Sequence, residues 1–254
     1  MDQKPENVMP IARHIAPCVL ISSLLFGCGT AVKQDSETSI YQGKATTDYS
    51  SVGLLIRDGK MWCSATLIGP ELALSAGHCF EGKSEKPAAL FLEFNQGSIR
   101  TQVTDVIVHP QYSDWFGRVS YDFALLKLAS KPGLPPIKLA STAPVKGEPV
   151  LFVGYGYTDS LAKDSFDGTK RMGTNQVGTV EEKKLFFPKP KDDTTGQVCR
   201  GDSGGPVFAT RQGTLELIAV VSGSTEGAAS KTCRIEAYAA RVDTFVEWIQ
   251  TAAN

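Results

Sequence analysis

The amino-acid sequence predicts an all-β fold, and three observations carry that prediction. Apolar runs are short, Gly, Pro or Asp-Gly closes almost every one, and helical spacing occurs only near the C-terminus. A chain of 254 residues fits one or two domains, and a hydrophobic content of 42% is enough for a sizeable core.

Residues 52–57 form the first apolar run. Asp58-Gly59 ends it, a pair suited to a two-residue hairpin turn whose central positions take positive φ. Residues 61–68 return beside it, Gly69-Pro70 turns the chain, and 72–75 lead into His78. Residues 90–94 and 99–108 repeat the spacing, and 123–128 add a strand with Asp122 at its start. Lys131-Pro132-Gly133-Leu134-Pro135-Pro136 is a linker stiffened by its prolines. Beyond it, 150–153, 176–180, 206–209 and 215–222 are strand candidates. A polar loop over 159–173 separates the first two, and the stretch bearing Lys183, Lys184, Lys189 and Lys191 reads as solvated loop. At the end, Asp243 is the expected N-cap of a helix whose apolar face is Phe245, Val246, Trp248 and Ile249.

A formal net charge of −1 leaves no basic surplus to neutralise phosphates, which argues against a nucleic-acid partner. Arg13 and His14 precede an apolar run, 15–26, that is too short to span a bilayer, so 1–27 reads as a secretory signal. Leu25-Phe26-Gly27-Cys28 resembles the lipobox of bacterial lipoproteins, which would make Cys28 a lipidated first residue and the sole membrane link. Cleavage after Ala31 is the alternative and gives a secreted protein. Residues 28–39 are polar and charged and form a tether or propeptide, leaving 40–254 as the folded domain. Four cysteines then remain, Cys63, Cys79, Cys199 and Cys233, and export favours disulfides among them in one of three pairings. No Cys-x-x-Cys and no paired-histidine spacing points to a metal site.

Three motifs carry chemistry. In Cys199-Arg200-Gly201-Asp202-Ser203-Gly204-Gly205-Pro206 a serine sits among glycines, which bend the backbone so that the N–H groups of Gly201 and Ser203 can meet one oxyanion. Leu74-Ser75-Ala76-Gly77-His78-Cys79 supplies a base, and the other histidine beyond residue 39, His109, reads as a loop or strand-end residue before Pro110. Tyr121-Asp122-Phe123 supplies an acid. A serine hydroxyl is a poor nucleophile until a base takes its proton, and an acid behind the base fixes its tautomer and stabilises imidazolium. Each string alone would read as a turn or a solvated strand end. Together they stand in the order His, Asp, Ser, which is the chymotrypsin-type order and not that of subtilisin or the α/β-hydrolases.

On these motifs and the helical C-terminus, the chain from about Ile40 onward resembles the trypsin/chymotrypsin family of serine endopeptidases. The resemblance implies two six-stranded antiparallel β-barrels, an active site in the cleft between them, and a C-terminal α-helix packed on the second. It implies His78 as general base, Asp122 as orienting acid, Ser203 as nucleophile, and the N–H groups of Gly201 and Ser203 as oxyanion hole. Polypeptide substrates would be hydrolysed through an acyl-enzyme, with no metal or organic cofactor, by a monomer open to protein inhibitors. Carried over, the disulfides are Cys63–Cys79 and Cys199–Cys233. Gly77 departs from the alanine common in animal members. A non-catalytic binding protein on the same fold and an esterase with the same triad are the alternatives. The first usually lacks a triad residue, and none is missing here.

Counting back from Ser203, the resemblance puts Gln197 at the floor of the specificity pocket, where trypsins carry aspartate. Ser222-Gly223-Ser224 stands for the usual Ser-Trp-Gly, so Gly223 removes an aromatic wall and Ser224 adds a side chain. Glu236 is expected on the other wall. Without a fixed charge at the floor, small or medium uncharged residues are expected before the cut, unless Glu236 reaches in. Family members are made as precursors cut before an Ile-Val-Gly-Gly-like start, and Ile40-Tyr41-Gln42-Gly43 stands at that place. The new ammonium would pair with Asp202, which before cleavage is expected to point elsewhere or remain hydrated.

Overall fold

The computed structural model describes residues 40–115, 118–157, 167–192, 194–226 and 232–253, and the readings of 1–39, Cys28 included, lie outside them. In chain order the first half holds β1 (Lys44–Ala45), β2 (Val52–Arg57), β3 (Lys60–Gly69), β4 (Leu72–Ser75), β5 (Leu90–Phe94), β6 (Ile99–Val108), β7 (Ser113–Trp115), β8 (Arg118–Ser120) and β9 (Ala124–Leu128). Asp58 and Gly59 both take positive φ, +51° and +74°, and fold β2 back on β3 as their residue types require. Around the wall, β2, β3, β4, β9, β6 and β5 close into a six-stranded antiparallel barrel. Alternation decides what it encloses. In β5 Leu90, Leu92 and Phe94 are buried while Phe91 and Glu93 are not, and β6 does the same with Val103, Val106 and Val108. Each such side chain contributes about 1.5–3 kcal/mol on leaving water.

After the proline-rich linker come β10 (Lys138–Leu139), β11 (Pro149–Gly154), β12 (Arg171–Gln176), β13 (Thr179–Val180), β14 (Lys184–Phe187), β15 (Pro206–Arg211), β16 (Thr214–Ser224), β17 (Ala237–Arg241) and α1 (Val246–Ala252). With β1 they make a nine-stranded sheet in the order β1-β12-β11-β15-β16-β17-β14-β13, and β10 runs parallel to β16. Among the described residues no pairing closes this sheet, so one closed barrel is present where two were expected. Ile40, Phe152, Phe187, Val207 and Ile218 form its own core. Tyr155, Phe208, Leu217 and Val220 belong instead to the cluster centred on the barrel, together with Phe245 and Ile249, and this shared core joins the two halves.

Three local readings change. The strand expected over 176–180 is split, because Val177 leaves the ladder to bond the Glu148 carbonyl at 2.9 Å. The lysine-bearing loop contains β14, in which Leu185 and Phe187 are buried against β17 while the lysines around them stay at the surface. The helix begins after Phe245, with no side-chain cap. Asp243 is engaged instead by Arg241, which donates from Nε to Oδ1 at 3.1 Å and from Nη2 to Oδ2 at 2.6 Å. A two-pronged charge-assisted contact outcompetes a single bond to a helix amide.

Candidate active site

His78 lies in a single 3₁₀ turn, Gly77–Phe80, that follows β4. The Cys63–Cys79 disulfide ties this turn to β3, with the Cα atoms 6.4 Å apart. Tyr121 takes φ +53° and turns the chain just ahead of Asp122, which is 1% exposed. Asp122 grips His78 twice. Its Oδ1 accepts the backbone N–H of His78 at 2.8 Å, and its Oδ2 accepts from Nδ1 at 2.8 Å. A carboxylate only accepts, so Nδ1 carries a proton, and in the neutral ring Nε2 keeps its lone pair. Burial disfavours the charged ring, but the charge and hydrogen bond of Asp122, with a smaller part from Asp114, outweigh it and raise the His78 pKa above its usual value.

The serine loop hangs between the two halves. Gly201 takes φ +87°, and a Cβ there would stand 2.9 Å from Met61 Cε and 3.0 Å from Gly156 Cα, so no other residue fits without displacement. The Ser64 amide of β3 donates to the Ser203 carbonyl at 2.8 Å, and Ser64 Oγ donates to the Gly201 carbonyl at 3.2 Å. The neighbouring amides are used: Asp202 bonds the Cys199 carbonyl, Gly204 that of Val221, and Gly205 that of Asp202. Those of Gly201 and Ser203 have no acceptor among the described residues. Ser203 and His78 line one cavity of about 410 Å³. No hydrogen bond joins Ser203 Oγ to His78 Nε2, a contact that such sites tighten on engaging substrate.

Behind the serine, Asp202 is 1% exposed. Its carboxylate accepts the N–H groups of Cys199 at 2.8 Å, Gly156 at 2.9 Å and Ile40. Burial pushes its pKa up to about 7 against the pull of those three donors and the more distant Arg171 charge. The aspartate expected to point away or stay hydrated in the uncut chain is therefore turned inward and dry, because backbone amides can satisfy it without an ammonium.

The trypsin family model matches residues 40–249. The chain belongs to the trypsin family. It is accordingly a serine-type endopeptidase, a hydrolase. Trypsin iota of Drosophila melanogaster is 29% identical over 63% of this chain and 67% of its own length. A trypsin-like protease of Streptomyces glaucescens is 28% identical over 58% of this chain and 59% of its own length. Chymotrypsin-like elastase family member 1 of Bos taurus aligns over 92% of this chain and 97% of its own length, at 24% identity. Neuropsin, a serine protease expressed in the limbic system of mouse brain, shares the fold at a TM-score of 0.70 and 19% identity, over 85% of this chain and all of its own.

In a trypsin-family frame the cavity departs from the counted register. Gln197 is fully buried and is not in the cavity lining. Its Nε2 donates to the carbonyls of Ile235 at 2.9 Å, Pro188 at 3.1 Å and Phe187 at 3.4 Å, and its Oε1 accepts from Val198. Val198 and Ile235, with Val221 and Tyr238, line the cavity where Gln197 was expected as the floor. Glu236, in the non-strand segment just before β17, is exposed and outside the lining, whereas its neighbour Ile235 is buried and lines the cavity. Ser222 and Ser224 do line the cavity, and the Cys199–Cys233 disulfide borders it. Asp114 and Val119, which sequence reasoning passed over, line the side next to His78. His109 is away from the cavity, stacked at 5.0 Å on Tyr121 and 4.6 Å from Trp248, its Nδ1 accepting the Gln111 amide. Cys63, His78 and Cys79 are the one metal-like cluster among the described residues, and the two sulfurs there are joined to each other.

Proposed function

We propose that this trypsin-family chain cleaves polypeptides through an acyl-enzyme on Ser203. The observation that carries the reading is the His78–Asp122 pair, bonded at 2.8 Å, with His78 lining the same cavity as Ser203, whose own amide and that of Gly201 are unclaimed among the described residues. Ser203 Oγ attacks the carbonyl carbon as His78 Nε2 takes its proton. The imidazolium that forms faces the Asp122 carboxylate, and the oxyanion takes hydrogen bonds from Gly201 and Ser203, each worth roughly 3 kcal/mol in the transition state. His78 returns the proton to the departing amine, and a water repeats the sequence on the acyl-enzyme. The side chain before the cut enters a pocket walled by Val198, Val221, Ile235 and Tyr238, which favours medium-sized uncharged residues over cations.

Cleavage of the Ser39–Ile40 bond would complete the site. Ile40 is fully buried and its N–H already bonds Asp202, yet it takes φ +51°, a costly conformation for a β-branched residue in a continuous chain. Cutting the bond removes the preceding carbonyl that makes this φ costly, and leaves an ammonium against Asp202. Export behind the 1–27 signal, followed by secretion or lipid anchoring at Cys28, agrees with the disulfides, and the proposed form is a monomer whose cleft is open to protein inhibitors. The nine-stranded sheet would be the counterpart of the family's second barrel. Labelling the processed protein with an active-site phosphonate, then digesting a peptide library, tests the reading. Label on Ser203 with cuts after apolar residues is expected, and a processed chain that takes no label would instead be a binding protein on the same fold.

A further inference from the structure

His109 follows β6 and braces the catalytic acid from outside the active-site cavity. Its backbone N–H donates to the Phe123 carbonyl at 3.0 Å, and its ring stacks on Tyr121 with the centroids 5.0 Å apart. Tyr121 and Phe123 are the two neighbours of Asp122 in the chain. The end of the chain closes around the same ring. Phe245 meets it edge-on at 5.2 Å and Trp248 lies at 4.6 Å, while Phe245 also reaches Phe123 at 4.8 Å. One imidazole thus joins a strand end, the turn that carries Asp122, and α1 with the residue before it.

The local geometry holds that ring neutral. Nδ1 accepts the Gln111 amide at 3.1 Å, so the single proton of the neutral ring is on Nε2. A second proton has only Nδ1 to occupy, and there it meets an N–H already pointing at that atom. The ring is 6% exposed and borders a cavity of about 470 Å³, which gives a proton its way in. The ionisable groups around this cavity are Tyr121, Glu182 and Lys183 between β13 and β14, and Glu247 on α1. Lys183 pairs with Glu182 at 2.8 Å and holds its ammonium 5.0 Å from the centre of the Tyr121 ring, and Glu247 is exposed. Among the described residues no carboxylate bonds the imidazole, and the ring it stacks on already carries a cation. Burial then keeps the His109 pKa below its ordinary value.

We infer that His109 is a positioning residue for Asp122, and that its protonation is a second way, separate from His78, in which acid switches the peptidase off. With Nδ1 protonated the ring has to leave the Gln111 amide, and its stack on Tyr121 goes with it. Asp122 then loses the support that aims its two oxygens at the His78 amide and Nδ1. Activity is thereby confined to neutral and alkaline surroundings. This rests on the proposed peptidase reading and adds its regulation.

The test assays processed protein on one uncharged peptide between about pH 5 and pH 8.5, returning each sample to neutral pH to show that the losses reverse. In wild type the logarithm of kcat/KM should fall with slope one as His78 takes its proton, then steepen to slope two below 6.5, where His109 takes the second. His109→Asn keeps an acceptor for the Gln111 amide and cannot take that proton, so its limb should stay at slope one. At pH ~5 it should retain about tenfold more of its neutral-pH activity than wild type does. Loss of packing alone would lower the plateau at every pH and leave the slope as it was. His78→Ala leaves His109 as the one histidine beyond residue 39, so NMR follows its ring without turnover and without a His109 variant that has to fold. That ring should titrate below 6.5, with the Gln111 amide resonance moving through the same midpoint. A wild-type slope of one, a slope of two kept in His109→Asn, or a ring that titrates without moving the Gln111 amide overturns the inference while peptide cleavage continues. Absence of all cleavage and labelling overturns the peptidase reading itself, with the NMR midpoint unaffected.

Discussion

Tyr112 Cδ2 stands 2.8 Å from the position a Cβ on Gly77 would occupy. The glycine that departs from the family's usual alanine therefore has a partner, an aromatic ring packed against the turn that carries His78. Gly77→Ala should lower unfolding stability by about 1–3 kcal/mol, as overpacking does, and reduce kcat by displacing the ring or the histidine. Gly77→Ala combined with Tyr112→Val should recover part of both losses. Denaturant unfolding and steady-state kinetics check this, and equal loss in the single and double variants would separate the two residues.

Ser203→Ala and His78→Ala should each lower kcat by several orders of magnitude with the fold intact. Asp122→Asn should lower it by about 10⁴, the loss known for this substitution in a chymotrypsin-type triad. Because the His78 pKa is raised, protonation removes the base as pH falls through a value above 6.5, its ordinary one, and the acid limb of kcat/KM should lie there. Near-normal turnover in Asp122→Asn would reassign the acid.

Asp202 predicts how stability follows pH. In the continuous chain its pKa is about 7, well above the ordinary carboxylate value. The folded state holds the proton more tightly than the unfolded one, so its contribution is fully present below pH ~4 and is lost as pH rises to 7, on the order of a few kcal/mol. An ammonium at Ile40 favours the charged carboxylate and should remove this loss. Unfolding free energies between pH 4 and 7.5, measured on intact and cleaved Ser203→Ala protein, should diverge, and Asp202→Asn should flatten the intact curve. Identical slopes would disprove the pairing.

Gln197→Asp restores the residue of trypsins at the counted position, yet it should not create cleavage after Arg or Lys. Gln197 Nε2 serves three carbonyls, and a carboxylate put among them keeps at most the Val198 amide to accept from. Loss of roughly 3 kcal/mol of stability is expected, from an unpaired buried charge and orphaned acceptors. Thermal unfolding together with Arg and Lys substrates decides. Efficient cleavage after Arg would put the side chain in the pocket after all.

What was legible in the sequence was local. Asp58-Gly59 specifies its turn through two backbone angles, and the segments around His78, Asp122 and Ser203 each carry their chemistry within a few residues. Gln197 and Glu236 misled because a count along the chain gives position, not direction. The Gln197 side chain is drawn aside by carbonyls from two distant segments, and at Glu236 the neighbouring Ile235, one residue away, takes the buried place. Asp243 misled because its competitor, Arg241, is visible as a partner only once β17 delivers it. Leu185 and Phe187 already alternated, but the lysines beside them dominate a reading by charge. Nothing near Asp114 marks it, since its place in the cavity lining is shared with His78 and Ser203, which lie far from it along the chain.

The Ser64 bonds to the serine loop have a consequence for how this enzyme fails. The carbonyls of Gly201 and Ser203 are held by a strand of the first barrel, and Ser64 itself is braced by Ser75 Oγ on its carbonyl at 2.8 Å. The two amides that would meet the oxyanion are thus aimed by a part of the chain more than a hundred residues away. Heat or denaturant that loosens the barrel should release these two carbonyls and so disorder the reaction centre. Inactivation should therefore track barrel unfolding, and the segment bearing the serine, made without the first barrel, would lack both His78 and Asp122 and the strand that aims its two amides.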